Sequence, residues 1–263
     1  MASYEALDGL PACRLRAFRV GRLSVVEGGR AAGVGIPILA YVLDSPGGMF
    51  VIDCGLSARW AHSREVHVGP HDSPSPGTPY IPDLDGPSLA PQLAALEIEP
   101  DRLVCTHLHE DHASGAAELG LTLEASVAEL ERLGLANARA LGYPVEELKG
   151  VRTRALELDP DKPLGPFPAT AELAQGVLAV DTSGHTPGSI SVLACIGAAW
   201  ALICGDAVYP RMDQPDSPAF LGALRLRRAF DDVRGLRPFP AHDTVVLRSG
   251  AADGWLGRPP GTE

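Results

Sequence analysis

The chain has 263 residues, of which 45% are hydrophobic and 21% charged, and its formal net charge is -11. This composition supports a packed core and excludes a chain that is disordered throughout, while the acidic excess disfavours nucleic acid and anionic membranes as partners. No apolar run reaches the roughly 18 residues that a membrane-spanning helix needs, and the pattern of a signal peptide is not visible.

The first residues are predicted to form strands. Residues 13–20 alternate apolar and polar side chains, which is typical of a half-buried strand. Apolar strands are expected at 38–43 and 49–53, because the Asp-Ser-Pro-Gly-Gly run between them has the chemistry of a hairpin turn.

A long loop is predicted at residues 61–87, which are rich in Pro, Gly, Asp, Ser and His and show no periodicity. We expect it to form a solvated lid rather than an extra metal site, although it carries three histidines: His62, His67 and His71. A further hypothesis, based on their position in or beside this loop, is that Trp60, Tyr80 and Ile81 line an acyl-chain pocket. Pro87 then opens a predicted helix to Glu97, with Leu89, Leu93 and Leu96 on one face.

The remaining chain alternates predicted strands and helices. Helices are expected at 126–149, with Ser126 as N-cap, and at 220–234, where Arg225, Arg227 and Arg228 are interpreted as a solvated face. Strands are expected at 102–106, 151–158, 177–181, 189–195 and 200–204. The two similar halves predict an α/β fold in which two mixed sheets pack together with helices outside, as one domain over residues 1–263.

The most informative segment reads Thr-His-Leu-His-Glu-Asp-His and follows the buried strand at 102–106. In an extended chain His107 and His109 point to the same side, whereas Leu108 points into the core. Asp111 and His112 come after the chain turns and can therefore face a second metal. Imidazole nitrogens and carboxylate oxygens are ligands that Zn²⁺ accepts readily, so the segment predicts a metal site.

Three later residues have contexts that suit the same site. His185 lies in a glycine-flanked turn between two predicted strands, Asp206 ends an apolar strand, and His242 lies near the end of the chain. Each follows a strand or a turn, which is where sites on α/β scaffolds are commonly built.

The combination of H-x-H-x-D-H, G-H-T-P-G-S, G-D and a late His resembles the metallo-β-lactamase superfamily, together with the strand end at Asp53. The resemblance implies a four-layer αββα sandwich and a dinuclear site. By the same resemblance, His107, His109 and His185 would bind the first metal, and Asp111, His112 and His242 the second. It also implies that Asp206 bridges both metals and that Asp53 orients a ligating histidine.

A site of this kind predicts a hydrolase, because two metals can lower the pKa of a shared water and stabilise an oxyanion. Within the superfamily, Tyr209 is similar to a tyrosine of the quorum-quenching lactonases, which hydrogen-bonds the lactone carbonyl or ring oxygen. The expected function is therefore the opening of N-acyl homoserine lactones, with Asp111, Asp206 and Tyr209 as catalytic residues. A glyoxalase II-like thioesterase and a phosphodiester or sulfate ester hydrolase remain alternatives.

The expected cofactors are two divalent ions per chain, with zinc favoured and Mn, Fe or Co as alternatives. The expected partner is a small acyl lactone or related ester, and the resemblance implies that a homodimer can form. The five cysteines include no CxxC pair, so free thiols in a reducing cytoplasm are expected.

Overall fold

A computed structural model describes residues 10–27, 30–63, 65–68, 77–197, 199–208, 235–243 and 254–257. In these ranges the strands form two sheets, one of eight strands and one of five. The first sheet has the order β4-β5-β1-β2-β3-β6-β7-β8 and comprises β1 (Arg14–Glu27), β2 (Arg30–Ser45), β3 (Gly48–Ile52), β4 (His67–Val68), β5 (Pro79–Asp83), β6 (Arg102–Val104), β7 (Leu123–Ser126) and β8 (Thr153–Leu156). The second has the order β13-β12-β11-β10-β9 and comprises β9 (Thr170–Ala174), β10 (Val177–Asp181), β11 (Ile190–Ile196), β12 (Ala199–Gly205) and β13 (Leu236–Pro240).

Both sheets are mixed. In the first, β1, β2 and β3 pair antiparallel, whereas β3, β6, β7 and β8 pair parallel. In the second, only the pairing of β12 with β13 is parallel among the described strands. The described α-helices are short: α1 (Leu89–Ala95), α2 (Glu110–Ala113), α3 (Ala116–Leu119) and α4 (Val127–Leu133). In the described part of the chain, no helix is long and apolar enough to cross a membrane.

The side chains of β2 show how the layers form, because alternate residues of a strand face opposite sides of its sheet. Leu39, Tyr41 and Leu43 belong to the cluster that fills the space between the two sheets. Ile38 and Ala40 belong to a second cluster on the other face, which α1 covers. The first sheet is therefore buried on both faces, and the expected αββα class of fold is confirmed.

The outer face of the second sheet carries a third apolar cluster, in which Leu164 and Phe167 pack against Leu193 and Leu202. All five cysteines are free thiols, and Cys195 is the one that is not fully buried. That agrees with the expectation of free thiols. The single-domain assignment stays a prediction.

The prediction of a structureless loop at residues 61–87 is wrong in part. Residues 79–83 form β5, which pairs antiparallel with β1, and β4 pairs with β5. The cause is tertiary, because β1 runs beyond the predicted end at Val20 to Glu27 and offers a free edge to this segment. His71 lies outside the described residues, as do Tyr209 and the predicted helix at 220–234.

The predicted helices are shorter than expected. The helix expected at 126–149 ends at Leu133, and only a 3-10 turn follows at Ala138–Leu141, since Gly134, a left-handed Gly142 and Pro144 interrupt the helical path. Its N-cap is confirmed, because Ser126 Oγ accepts from the N–H of Glu129 at 3.3 Å. Similarly, α1 ends before Leu96, which is exposed rather than on the buried face.

Candidate metal centre

The candidate site lies where strands of both sheets end. Asp53 follows β3, the histidine-rich segment follows β6, and His185 lies in the turn between β10 and β11. Asp206 follows β12, and His242 follows β13. Because β3 runs parallel to β6 and β12 runs parallel to β13, the corresponding strand ends meet at one edge of the sandwich.

Two backbone hydrogen bonds join the sheets at this edge. The N–H of Ile190 donates to the carbonyl of Thr106 at 2.9 Å, and the N–H of Leu39 donates to the carbonyl of Ala241 at 2.8 Å. The loops that carry the candidate residues are therefore held together by backbone contacts and not only by their side chains.

Three imidazoles form the first cluster. His107, His109 and His185 are buried, and one ring nitrogen of each lies within 4.8 Å of the others. His185 Nε2 lies 3.0 Å from His109 Nδ1, and the ring of His107 packs edge to face against both. Nε2 of His107 is buried and has no hydrogen-bond partner among the described residues.

The second cluster combines imidazoles with carboxylates. Asp111, His112, Asp206 and His242 are buried, and their ligand atoms lie within 4.8 Å of one another. His242 Nε2 lies 3.3 Å from Asp111 Oδ2 and 3.2 Å from Asp206 Oδ1. His112 Nε2 lies 3.1 Å from the same oxygen of Asp206.

Asp206 touches both clusters. Its Oδ1 faces His112 and His242, while its Oδ2 lies 3.6 Å from His185 Nε2. One carboxylate thus offers one oxygen to each group of ligands, which is the arrangement expected of a bridging residue.

These distances fit divalent cations. A tetrahedral ion with ligands at about 2.0–2.2 Å holds its ligand atoms roughly 3.4 Å apart, and Asp206 and Asp111 approach His242 to 3.2 and 3.3 Å. The buried nitrogen of His107 would otherwise be costly, because an unsatisfied polar atom away from water loses its hydrogen bonds. The His and Asp clusters therefore fit a dinuclear divalent metal site.

The charge states of the side chains in both clusters favour the binding of cations. Burial and the neighbouring imidazoles hold the pKa of His107 well below its usual value, and burial lowers that of His185 to about 3. Both rings are therefore neutral at pH 7 and present lone pairs. Burial alone would also lower the pKa of His242, but the carboxylates of Asp206 and Asp111 raise it to about 10. The second cluster is therefore negative enough to hold a cation or a proton.

Asp53 supports the second cluster from behind. Its Oδ2 lies 2.9 Å from His112 Nδ1, and its Oδ1 accepts from the N–H of Thr106 at 2.7 Å. The expected contact of Asp53 with a histidine of the site is confirmed. Asp53 itself has a left-handed backbone with φ of 58°, which is costly for a non-glycine residue and persists where its surroundings require it.

Glu129 connects the loops of the first cluster. It is fully buried, and its Oε2 accepts from the N–H of Leu108 at 2.8 Å and from the hydroxyl of Tyr143 at 3.0 Å. Its Oε1 accepts from the hydroxyl of Thr186 at 2.5 Å. One carboxylate thus braces the backbone between His107 and His109 and the residue that follows His185.

A cleft of about 270 Å³ opens beside the first cluster, and its lining includes Trp60, His67, Tyr80, Glu110, Arg139 and Tyr143. The ring of Tyr143 lies 5.4 Å from that of His109, and Glu110 is the next residue after His109. The predicted pocket residues Trp60 and Tyr80 are therefore brought together, whereas Ile81 is not part of this lining.

The seven predicted ligands are brought together in two groups that match the expected sets. In the described residues, neither group includes His62, which is exposed, or His67, which contacts Glu110. Sequence reasoning missed Glu110 and Glu129. Glu129 has a visible signal, since Ser126 and Glu129 have capping-box spacing, but its side chain turns to Leu108 and Thr186 instead.

Comparison with known proteins gives the same framework. A family model described as the metallo-beta-lactamase superfamily matches residues 33–258. One similar solved structure is an N-acyl homoserine lactone hydrolase with the product N-hexanoyl-L-homoserine at its catalytic metal center, with a TM-score of 0.68 and 19% identity, over 92% of this chain and 97% of that chain. A quorum-quenching N-acyl homoserine lactone lactonase has a TM-score of 0.67 and 18% identity, over 93% and 97%.

A third similar structure is a variant of AiiA from B. thuringiensis with N-decanoyl-L-homoserine at its active site, with a TM-score of 0.66 and 18% identity, over 92% of this chain and 97% of that chain. No curated protein matches the chain by sequence. At these identities the solved structures establish a common fold.

Proposed function

Since the chain belongs to the metallo-beta-lactamase superfamily, we propose that it is a dinuclear metal-dependent hydrolase that opens the lactone ring of N-acyl homoserine lactones. The observation that carries the proposal is the position of Asp206, whose two oxygens face the two clusters. The similar structures that hold N-acyl homoserine products at their active sites support the choice of substrate.

Divalent ions, when bound, make water nucleophilic near neutral pH and polarise the carbonyl that it attacks. The residues of the two clusters would hold these ions, and a side chain of the protein transfers the proton of the attacking water. Asp111 is the more exposed of the two cluster carboxylates, with a side chain 12% exposed against 6% for Asp206. We assign Asp111 to take the proton of the attacking water as the new C–O bond forms. It returns that proton to the ring oxygen as the ester C–O bond breaks.

Tyr209 is proposed to hydrogen-bond the lactone through its neutral hydroxyl. It follows Asp206 by three residues and lies outside the described part of the chain, so its assignment rests on the family resemblance.

The charge of the cleft favours an uncharged substrate over a phosphodiester or sulfate ester. Its lining contains the guanidinium groups of Arg59 and Arg139, but also the carboxylates of Glu110, Glu146 and Glu147. Arg59 is already paired with Glu147 at 2.8 Å. With His67 protonated, three cations and three carboxylates line the cleft, so a negatively charged substrate would meet no excess of positive charge. A thioester is uncharged at the scissile bond and remains the main alternative.

The wider setting is also a proposal. Zinc is the favoured metal, with Mn, Fe and Co as alternatives, because the His and Asp ligands suit all four. Five free thiols are typical of a reducing compartment, so we place the protein in the cytoplasm, where it would act in quorum quenching. A homodimer is expected from the family resemblance.

The deciding experiment follows proton release from purified protein of known metal content, with a long-chain N-acyl homoserine lactone as substrate. A glutathione thioester and a phosphodiester are offered in parallel. We expect rapid opening of the lactone with about two metals per chain, and loss of both activity and metal in Asp206→Ala. Asp161→Asn is the control, because Asp161 is an exposed carboxylate outside both clusters.

Turnover of the thioester but not of the lactone would support the assignment as a hydrolase and replace the lactone by a thioester as its substrate. Activity that survives Asp206→Ala at the wild-type level would contradict the bridging role on which the proposal depends.

A further inference from the structure

Glu110 occupies the variable position between His109 and Asp111, and its side chain lines the cleft beside the first cluster. Only 8% of the residue is exposed, which is unusual for a carboxylate unless it is paired. Its backbone is fixed, because its N–H donates to the carbonyl of Gly142 at 2.9 Å. The carboxylate is therefore held in a fixed place between the cleft and the candidate metal ligands.

The two oxygens of Glu110 have different surroundings. Oε1 accepts from the hydroxyl of Tyr80 at 2.9 Å and lies 3.1 Å from His67 Nδ1. Oε2 has no protein partner among the described residues. This oxygen is not one of the fully buried atoms that lack a hydrogen bond, so it is open to the cleft that Glu110 lines, where a ligand can replace water as its donor.

The partners of Glu110 indicate which donor fits. The hydrogen bond to Glu110 raises the pKa of His67, which favours its cationic form. Imidazolium and carboxylate then balance each other, so a second full cation would gain little from the cleft. A neutral N–H group gains a strong, charge-assisted hydrogen bond at no comparable cost of desolvation.

The walls of the cleft suit a planar group. Trp60 and Tyr80 flank His67, with ring centroids 5.1 and 5.7 Å from the imidazole. Tyr143 closes the side that faces His109. Glu147, the other little-exposed carboxylate of the lining, is paired with Arg59 at 2.8 Å. Aromatic walls with few polar groups are typical of a subsite that binds a flat, mostly apolar group in one orientation.

We propose that this cleft is a subsite for a secondary amide of the substrate, and that Glu110 Oε2 accepts the amide N–H. The inference rests on the proposed hydrolase function, since it concerns the group next to the scissile ester. It makes Glu110 a specificity-determining residue that separates N-acylated lactones from lactones without an amide.

A matched pair of ligands that cannot be hydrolysed tests the hydrogen bond directly. N-cyclopentylhexanamide carries the amide, and 1-cyclopentylheptan-2-one replaces its N–H with a methylene group. Binding to the metal-loaded protein is measured by calorimetry. We expect the wild type to bind the amide at least about tenfold more tightly, the factor that one hydrogen bond to a charged acceptor supplies.

Three variants locate the effect. Glu110→Leu should bind the two ligands with equal affinity. Tyr80→Phe should reduce the preference a few fold, because the carboxylate loses one of the two contacts that fix its orientation. Glu146→Gln is the control, since it removes an exposed carboxylate of the same cleft and should keep the full preference. Metal content is measured for every variant. If Glu110→Leu loses metal, Tyr80→Phe decides the question, since Tyr80 is outside both clusters.

The outcomes separate the two proposals. An equal affinity of the wild type for amide and ketone, or a preference that survives both Glu110→Leu and Tyr80→Phe, overturns the subsite while lactone opening stands. A preference that depends on Glu110 in a protein that opens no lactone overturns the substrate assignment and leaves the amide subsite in place.

Discussion

Glu129→Gln tests whether one buried carboxylate holds the first cluster together. The substitution preserves shape, but it replaces one acceptor oxygen by an NH₂ group that can only donate. In the native protein Glu129 receives donors from Leu108, Tyr143 and Thr186. Turned towards Leu108, the NH₂ group would face a backbone N–H that can only donate; turned towards Thr186, it would force that hydroxyl to accept and to donate to Ser189 instead.

The magnitude follows from those contacts. A hydrogen bond to a charged group contributes about 1.5–3 kcal/mol and one between neutral groups about 0.5–1.5 kcal/mol, so each of the three contacts loses about 1 kcal/mol. We therefore expect Glu129→Gln to lower the free energy of unfolding by about 2–4 kcal/mol. Since the braced loops carry His107, His109 and His185, metal affinity at the first cluster should fall about 10–100-fold, as for other residues that support metal ligands.

Urea unfolding of the metal-free protein measures the first quantity, and stepwise competition with a chelator measures the second. Glu131→Gln is the matched control, because Glu131 lies on the same helix with an exposed side chain. A change in stability below about 0.5 kcal/mol, the usual range for surface substitutions, together with unaltered metal affinity would refute the bracing role.

Three further predictions follow from single contacts. Asp53→Asn should weaken metal binding about 10–100-fold at the cluster of His112, because the amide has one acceptor oxygen and cannot serve both the ring and Thr106; chelator competition measures this, and unchanged affinity would contradict it. Gly205→Ala should cost about 2–4 kcal/mol, since its Cβ would meet Thr106 Oγ1 at 2.3 Å on a backbone with φ of +48°. Gly197→Ala, which shares the left-handed backbone but meets open space, should cost only about 1 kcal/mol in the same denaturation assay. The folded-state pKa of His67 is raised above its usual 6.5 by Glu110 and, more weakly, by Glu65, so its contribution to stability is complete below pH 6.5 and is lost as the pH rises through the folded-state pKa. The stability gap between the wild type and His67→Phe should accordingly narrow between pH 6 and pH 9 (about the range over which a raised histidine titrates), and a gap that stays constant over this range would contradict the contribution of the contact with Glu110.

Local patterns were sufficient for the features that depend on neighbouring residues. The apolar run at 38–43 predicted a strand, and this run lies in β2 with side chains buried on both faces of the sheet. Ser126 was identified as an N-cap because a cap depends only on the residues of the adjoining helical turn. The spacing of His107, His109, Asp111 and His112 indicated two metal-facing groups, since only a few backbone torsions separate those side chains.

Local patterns failed where distant segments compete for the same residue. Residues 79–83 have a loop-like composition, yet they form β5 because the extended β1 offers an edge for pairing. The helix predicted to Lys149 failed for a local reason instead, because Gly134 and Pro144 interrupt the helical path that the apolar pattern indicated.

The sequence by itself determined the superfamily, the residue types of the metal centre and the class of reaction, because short motifs of neighbouring residues indicate all three. Only the tertiary structure decided which residues support them. His185 reaches His109 across 76 positions, and Glu129 serves two loops rather than its own helix end. Glu110 meets Tyr80 across 30 positions to form a polar cleft. Such contacts depend on how two sheets pack, and packing is a property of the whole chain that no single segment encodes.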